Sequence, residues 1–366
     1  MTKYPKKKVQ TQVYENYWLL NLAWSDFNGN KFLSALKICI DFIDANKECN
    51  YTSELYNNLQ EKIGKALNLD LISVRKGINE LVKLGFIYPF LRKYHYLAKQ
   101  YIAAESDLER KLVFSKIVYS NSGFKRSVTQ ESDDREMNFV IKTIEHARCL
   151  DEKYLGVLIA VDISNYKEGY ISLDDMDKLY RNETQVSFEK RKYNQIKYLK
   201  TLLNNLDGII YIGTQFCLEK DTDKIQVGGV QTIETKGRDP YLQRIYKQQL
   251  QKESLNILGK VKCMVEKLEY PVLIASHIKP FRNSDDAEAF DPNNGLLLSK
   301  TLDSLFDLNY ISFADDGSII FYNRVPEDVK QFWKTYKLDE RFINSERLGY
   351  LAYHRQLCNS KNNLLP

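Results

Sequence analysis

The sequence predicts an α+β chain, with a mainly helical N-terminal part and a small domain of strands and helices near the C-terminus. In the first 230 residues, two amphipathic helical segments each end at a glycine that leads directly into an apolar run, at Gly85 and at Gly208. Near the C-terminus, the segments 276–280, 291–298 and 303–307 indicate a strand carrying a histidine, a loop carrying asparagines, and a helix.

The C-terminal segments carry a specific pattern of residues and spacings. Ser276-His277-Ile278-Lys279-Pro280 precedes Asn294-Gly295-Leu296-Leu297-Leu298, and Leu305-Phe306-Asp307 closes the pattern. Together they resemble the motif of HNH endonucleases, in the variant S-H-I-x-P, N-G-L-x-L and l-F-D. The resemblance covers about residues 240–330. It implies a ββα-metal domain that hydrolyses phosphodiester bonds.

The resemblance assigns roles to the histidine and the asparagine of the motif. His277 is expected to be the general base, because a neutral imidazole accepts a proton from water near pH 7. Asn294, seventeen positions on, occupies the middle position and is expected to hold the loop or the histidine in register. Asn293 is the competing assignment, although Asn294 directly precedes the Gly-Leu of the pattern.

The resemblance also implies a divalent cation, Mg²⁺ or Mn²⁺. Asp303 occupies the last position of the motif, which is commonly His, and Asp is the better ligand for a hard cation. Ser276 stands where many relatives have Asp, so Asp307 or a water is needed to complete the metal shell. Lys279 and Arg282 follow the histidine closely and are expected to approach phosphate.

The first N-terminal unit resembles a winged helix-turn-helix. A helix over Tyr51–Leu67 is followed by a second over 73–84, which ends at Gly85 before an apolar strand and a basic, aromatic run. Arg75 and Lys76 on the second helix have the side chains that reach phosphates and base edges in a major groove.

A second copy of this pattern is predicted downstream. A helix around 174–180 precedes a long basic helix over 187–206 and an apolar strand at 209–213, and Lys190, Arg191 and Lys192 are its candidate DNA contacts. The predicted domains are therefore a winged-helix-like DNA-recognition unit at 1–125, a second winged-helix-like unit with a linker at 126–235, and the HNH nuclease domain with a C-terminal helical extension at 236–366. Residues 220–240 are predicted to be a linker. Within it, Glu234-Thr235-Lys236 matches half of another restriction-nuclease signature, which would need a strand and an upstream Asp to form a metal site.

Composition limits the class of protein. Hydrophobic residues make up 43% and charged residues 28%, and no apolar run is long enough to span a bilayer. The six cysteines are scattered without any C-x-x-C, which predicts reduced thiols, no structural zinc and a cytoplasmic location. The net charge of +5 is modest, so DNA binding is expected from local patches.

These observations predict a sequence-specific, metal-dependent endonuclease of double-stranded DNA, with a type II restriction endonuclease as the principal hypothesis. Because one HNH site cuts one strand, double-strand cleavage implies a homodimer or sequential nicking. The alternatives are a modification-dependent or nicking defence nuclease, and a winged-helix DNA-binding regulator with a decayed HNH site. The recognition sequence, its methylation requirement and the cleavage stagger do not follow from these patterns.

Overall fold

The structure is a computed structural model that describes residues 17–20, 22–181, 183–218, 239–322 and 325–363. The chain forms two compact units that divide between Glu219 and Lys220. Helices predominate in both units, and the sheets are small and antiparallel, which confirms the predicted α+β class. None of the helices in these ranges has the length and apolar character needed to cross a bilayer.

The N-terminal unit is built mainly from helices. They are α1 (Asn30–Ala45), α2 (Ser53–Leu67), α3 (Leu71–Lys83), α4 (Ala98–Ala103), α5 (Asp107–Asn121), α6 (Glu136–Ala147), α7 (Leu155–Ala160), α8 (Leu173–Tyr180) and α9 (Glu183–Asn204). Its strands are β1 (Cys149–Asp151), β2 (Ile209–Ile212) and β3 (Gln215–Leu218).

Local signals define the turn between α2 and α3. Thr52 caps α2 by accepting a hydrogen bond from the Leu55 amide, and Asp70 caps α3 by accepting from two amides of its first turn. Asn68, between the helices, adopts the left-handed conformation with φ 51°. Gly85 follows α3 at φ +87°, so the helix ends where the glycine predicted. The predicted strand after Gly85 is reduced to a single bridge, Ile87 to Tyr94.

The strands of this unit form one antiparallel sheet in the order β1-β3-β2. The β1–β3 register places Cys149 opposite Cys217, and the two form a disulfide across 68 residues of sequence. The prediction that all thiols are reduced is therefore wrong for this pair. Sheet pairing between distant segments brings the two cysteines together, so their spacing along the chain carried no signal.

Helix α9 begins four residues before its predicted start. Its predicted apolar face is buried in full at Leu199, Leu202 and Leu203, as is Leu206 just beyond its end. Helices α5 and α6 pack against each other across the predicted boundary at residue 125. The two predicted N-terminal domains thus lie within one compact unit, and their division at this boundary stays a prediction.

The C-terminal unit combines helices with two hairpins. Its helices are α10 (Pro240–Leu258), α11 (Lys300–Asp307), α12 (Glu327–Trp333) and α13 (Ser345–Asn363). Its strands are β4 (Leu273–His277), β5 (Gly295–Ser299), β6 (Ile311–Phe313) and β7 (Ile319–Phe321).

Strands β4 and β5 form the antiparallel centre of this unit and lead directly into α11. Their register places His277 opposite Gly295 and Leu273 opposite Ser299. Every residue of β5 is buried, because α10 and α11 both pack on this pair of strands. Strands β6 and β7 form a hairpin around an Asp316-Gly317 turn, with Gly317 at φ +83°.

Candidate active site

His277 is the last residue of β4, and three neighbours hold its ring. The ring stacks on Tyr246 with 4.6 Å between centroids and 14° between planes. The edge of Phe281 faces it at 5.8 Å and 82°. Nε2 lies 2.9 Å from the carbonyl oxygen of Ala289. The imidazole therefore has a defined orientation, set by contacts from three separate segments.

The contact at Nε2 also defines the chemistry of the ring. A carbonyl oxygen only accepts hydrogen bonds, so Nε2 of His277 must be the donor to Ala289. In the neutral imidazole, the lone pair then resides on Nδ1. Nδ1 is thus the atom that can take a proton, as a general base requires.

Asn294 fastens the loop that follows His277. Its side-chain oxygen accepts a hydrogen bond from the Lys279 amide at 2.7 Å, and its amide group donates to the carbonyl oxygens of Lys279 and Glu288. The side chain is fully buried and does not line the cleft beside the histidine. This geometry suits the predicted role in holding the loop. The competing residue, Asn293, bonds instead to Glu346 and Asn344 near α13.

A polar cleft of about 480 Å³ opens beside His277. It is lined by residues of β4, the loop after it, α11 and the turn that follows it, and the end of α13. The lining residues are Ile274, Ala275, Ser276, His277, Pro280, Phe281, Arg282, Asp303, Asp307, Leu308, Asn309 and Lys361. The cleft therefore contains the predicted base, both predicted metal ligands and two cations.

Asp303 and Asp307 are separated by one helical turn on α11, so both carboxylates belong to one face of that helix. Asp303 is half-buried and Asp307 is exposed. Among the described residues, no three His, Cys, Asp or Glu side chains converge as a ready-made metal cage. Two carboxylates nevertheless fit Mg²⁺, which is commonly held by one or two carboxylates, with water and substrate phosphate supplying the other ligands.

The cations near the histidine occupy different positions. Arg282 and Lys361 line the cleft, where they can meet a phosphate. Lys279 forms an ion pair with both carboxylate oxygens of Glu288, at 2.7 and 2.6 Å, and is not among the lining residues. Of the two predicted phosphate contacts, the structure therefore places Arg282 in the cleft and Lys279 in an ion pair beside it.

The comparison with protein families matches this region. Residues 263–314 match the family model described as HNH endonuclease. The chain contains an HNH endonuclease domain. The match spans β4, β5 and α11, with His277, Asn294 and Asp303 inside it. A comparison of the chain with curated proteins gives no match.

The predicted DNA contacts of the N-terminal unit lie on two helices. Arg75 and Lys76 are exposed on α3. Lys190, Arg191 and Lys192 belong to α9, but their side chains lie outside the described residues. The Glu234-Thr235-Lys236 alternative also falls outside them.

Two residues near the histidine were not predicted from the sequence, Tyr246 and Lys361. Tyr246 lies on α10, 31 positions before the histidine, and Lys361 lies on α13, 84 positions after it. Both are outside the matched segment 263–314. Tyr246 was in the helix that the family resemblance covered, but no local spacing pointed to its contact with the histidine.

Proposed function

We propose that this protein is a metal-dependent, sequence-specific endonuclease of double-stranded DNA, of the type II restriction class. The observation that carries the proposal is the orientation of His277. Its Nε2 is committed to the Ala289 carbonyl, and the ring lines a cleft that also holds two carboxylates and two cations. A general base, hard-metal ligands and phosphate-binding groups are the components that phosphodiester hydrolysis requires.

The chemistry follows from these residues. Nδ1 of His277 takes a proton from a water as its oxygen attacks phosphorus, and the bond to the leaving 3′ oxygen breaks. The Ala289 carbonyl oxygen accepts a hydrogen bond from the Nε2–H group and so stabilises the imidazolium that results. Arg282 and Lys361 orient the phosphate and balance its charge. Mg²⁺ or Mn²⁺, held by Asp303 and Asp307, would neutralise the scissile phosphate and the leaving oxygen.

The N-terminal unit supports the assignment of sequence specificity. Helices α1, α2 and α3 pack together, and a single antiparallel bridge between Ile87 and Tyr94 follows them at the position where a winged helix-turn-helix has its wing. On α3, Asn79 is committed to the Val128 amide. Arg75 and Lys76 are exposed on the same helix and are the proposed contacts to DNA.

The alternatives differ in what they predict for plasmid DNA. A homodimer, or two successive cuts, would linearise the plasmid, whereas a nicking enzyme would stop at the open circle. A DNA-binding regulator is favoured by the Ser and Asp at two motif positions, Ser276 and Asp303, and would leave plasmid intact. Fragment patterns on unmethylated and methylated phage DNA separate ordinary restriction from modification-dependent cleavage.

The deciding experiment replaces His277 by Ala. Cleavage should fall by about 10²–10⁴-fold, because the base is lost, while DNA affinity stays close to wild type. His146→Ala is the matched control. His146 is an exposed histidine of the other unit, so this variant should cleave DNA at the wild-type rate. Equal loss of cleavage and of binding in His277→Ala would show that the histidine is structural.

A further inference from the structure

Tyr246 joins the histidine to both strands of the motif. The side chain projects from α10, is fully buried and stacks face to face on the His277 ring. Its hydroxyl donates to the carbonyl oxygen of Asn294 at 2.9 Å and lies 3.4 Å from that of Ser276. A single side chain outside the matched segment therefore contacts the base and the ends of β4 and β5.

The same hydroxyl explains the glycine of the motif. Gly295 has φ −143° and ψ 153°, an extended conformation that any residue adopts. A Cβ at this position would lie 2.2 Å from the Tyr246 hydroxyl oxygen and 2.8 Å from a Leu250 methyl carbon. The position is glycine because the tyrosine occupies the space of a side chain, so Tyr246 and Gly295 form a matched pair.

The stack restricts the ring of His277. Tyr246 covers one face, while the Phe281 edge and the Ala289 carbonyl constrain the rest. Removal of the tyrosine ring would leave a void into which the imidazole can turn, and Nδ1 would lose its alignment with the attacking water. Displacing a catalytic base by about 1 Å lowers the rate of the chemical step about 10²-fold.

We propose that Tyr246 is the positioning residue for His277, holding its ring in the orientation that general-base catalysis needs. This inference rests on the proposed function of His277 as the base. The aromatic ring, rather than the hydroxyl, provides the stack, so the two parts of the side chain have separable effects.

Two substitutions separate these parts. Tyr246→Phe keeps the ring and should retain kcat within about 5-fold, whereas Tyr246→Leu should lower kcat about 10²-fold with KM nearly unchanged. Tyr336→Leu is the matched control, because Tyr336 packs on Phe332 and Trp333 and does not line the cleft. If Tyr246→Leu does not fold, Tyr246→Met fills the space with a flexible apolar chain and tests the same point.

The second readout does not depend on cleavage. The chain has four histidines, so the His277 ring signals can be assigned in a carbon–proton NMR spectrum from their loss in His277→Ala. The ring current of the aromatic side chain at position 246 should shift these signals upfield in wild type and in Tyr246→Phe. In Tyr246→Leu and Tyr246→Met the upfield shift should be absent. Full kcat in the Leu and Met variants, or lost kcat with unmoved His277 signals, would overturn the inference. Normal cleavage by His277→Ala would instead refute the proposed function, whatever the NMR result.

Discussion

The cleft contains the two residues at which this site departs from its motif, Asp303 and Ser276. Asp303 stands in the position that is commonly His, and Ser276 replaces an Asp that many relatives have before the histidine. Both Asp303 and Asp307 line the cleft, and Asp303 is the less exposed of the two. A half-buried carboxylate facing a polar cleft is the better placed metal ligand, because fewer waters compete for its oxygens.

We therefore predict unequal effects of removing the two carboxylates. Asp303→Ala should abolish most Mg²⁺-dependent cleavage, Asp307→Ala should reduce it less, and Asp303→His should keep some activity with an altered metal preference. Cleavage rates across Mg²⁺ and Mn²⁺ titrations measure this, with Asp328→Ala, an exposed aspartate of α12, as control. Full activity in Asp303→Ala would transfer the ligand role to Asp307, and undiminished cleavage in EDTA would rule out the metal mechanism.

The other described histidine of this unit, His354, is suited to packing and not to catalysis. It is 2% exposed on α13, its Nδ1 lies 2.9 Å from the Ser312 hydroxyl oxygen, and its ring stacks on Phe306. Burial lowers the pKa of His354 to about 4, and the neighbouring cations Lys361 and Arg355 act in the same direction. The folded state thus favours the neutral ring.

This pKa predicts acid sensitivity of the C-terminal unit. As the pH falls below about 6.5, His354 becomes protonated in the unfolded chain, whereas in the folded state it stays neutral until about pH 4. The free energy of unfolding therefore decreases by up to about 3 kcal/mol between these two pH values. His354→Gln should remove this contribution, and the free energy of unfolding should then vary less between pH 7 and pH 5. Urea titrations followed by Trp333 fluorescence, with Trp18 and Trp24 of the other unit replaced by Phe in every variant, measure it, with His146→Gln as control. An unchanged pH dependence in His354→Gln would contradict this prediction.

Helix α13 adds to the cleft a cation that lies outside the matched segment. Its last turn places Lys361 among the cleft residues, and its first turns are anchored by Arg347, which is fully buried and pairs with Glu253 of α10. Two of the helices outside the matched segment, α10 and α13, are thus joined by an ion pair, and they bring Tyr246 and Lys361 to the surroundings of His277. The candidate site is therefore built from more of the chain than the ββα segment.

We predict that Lys361 contacts a phosphate of the DNA. Lys361→Ala should raise KM for all sequences alike and make the salt dependence of binding shallower by about one unit, because one fewer counterion is released. Lys334→Ala is the control, since Lys334 is exposed after α12 and does not line the cleft. A salt dependence identical to wild type in Lys361→Ala would show that this lysine does not reach the backbone.

The division of the molecule into two compact units suggests a division of labour between recognition and cleavage. Base readout needs side chains in a groove, whereas a nuclease domain mostly contacts backbone. The exposed cations on α3 and the polar cleft belong to different units. We therefore propose that sequence recognition and cleavage can be separated in fragments of the chain.

We predict that residues 1–235 bind the cognate site without cutting it, and that residues 236–366 lack the full enzyme's sequence preference. Within the full protein, replacing a base-reading residue by alanine should weaken the binding free energy by about 1–3 kcal/mol at one base pair only. Replacing a residue that contacts phosphate should weaken binding equally for every sequence. Binding assays with Arg75→Ala, Lys76→Ala and Lys190→Ala on site variants measure this. Sequence preference that stayed entirely with 236–366 would contradict the division.

Local patterns in the chain were enough to predict much of this molecule. The helix that ends at Gly85, the long helix that ends before Gly208, and the β4–β5–α11 order all depend on a few neighbouring residues. The pattern of the HNH segment is local too, because the proposed base, the loop asparagine and the two helix carboxylates lie within about thirty consecutive residues. Short-range geometry fixes such features, so spacing alone reveals them.

Contacts between distant segments were not predictable in this way. The Cys149–Cys217 disulfide, the Tyr246 stack on His277 and the arrival of Lys361 in the cleft each join residues 31 to 84 positions apart. Spacing along the chain carries no information about such pairs, because strand register and helix packing bring them together. The candidate base, His277, was thus predicted from a local motif, whereas the orientation of its ring depends on the packing of α10 against the strands.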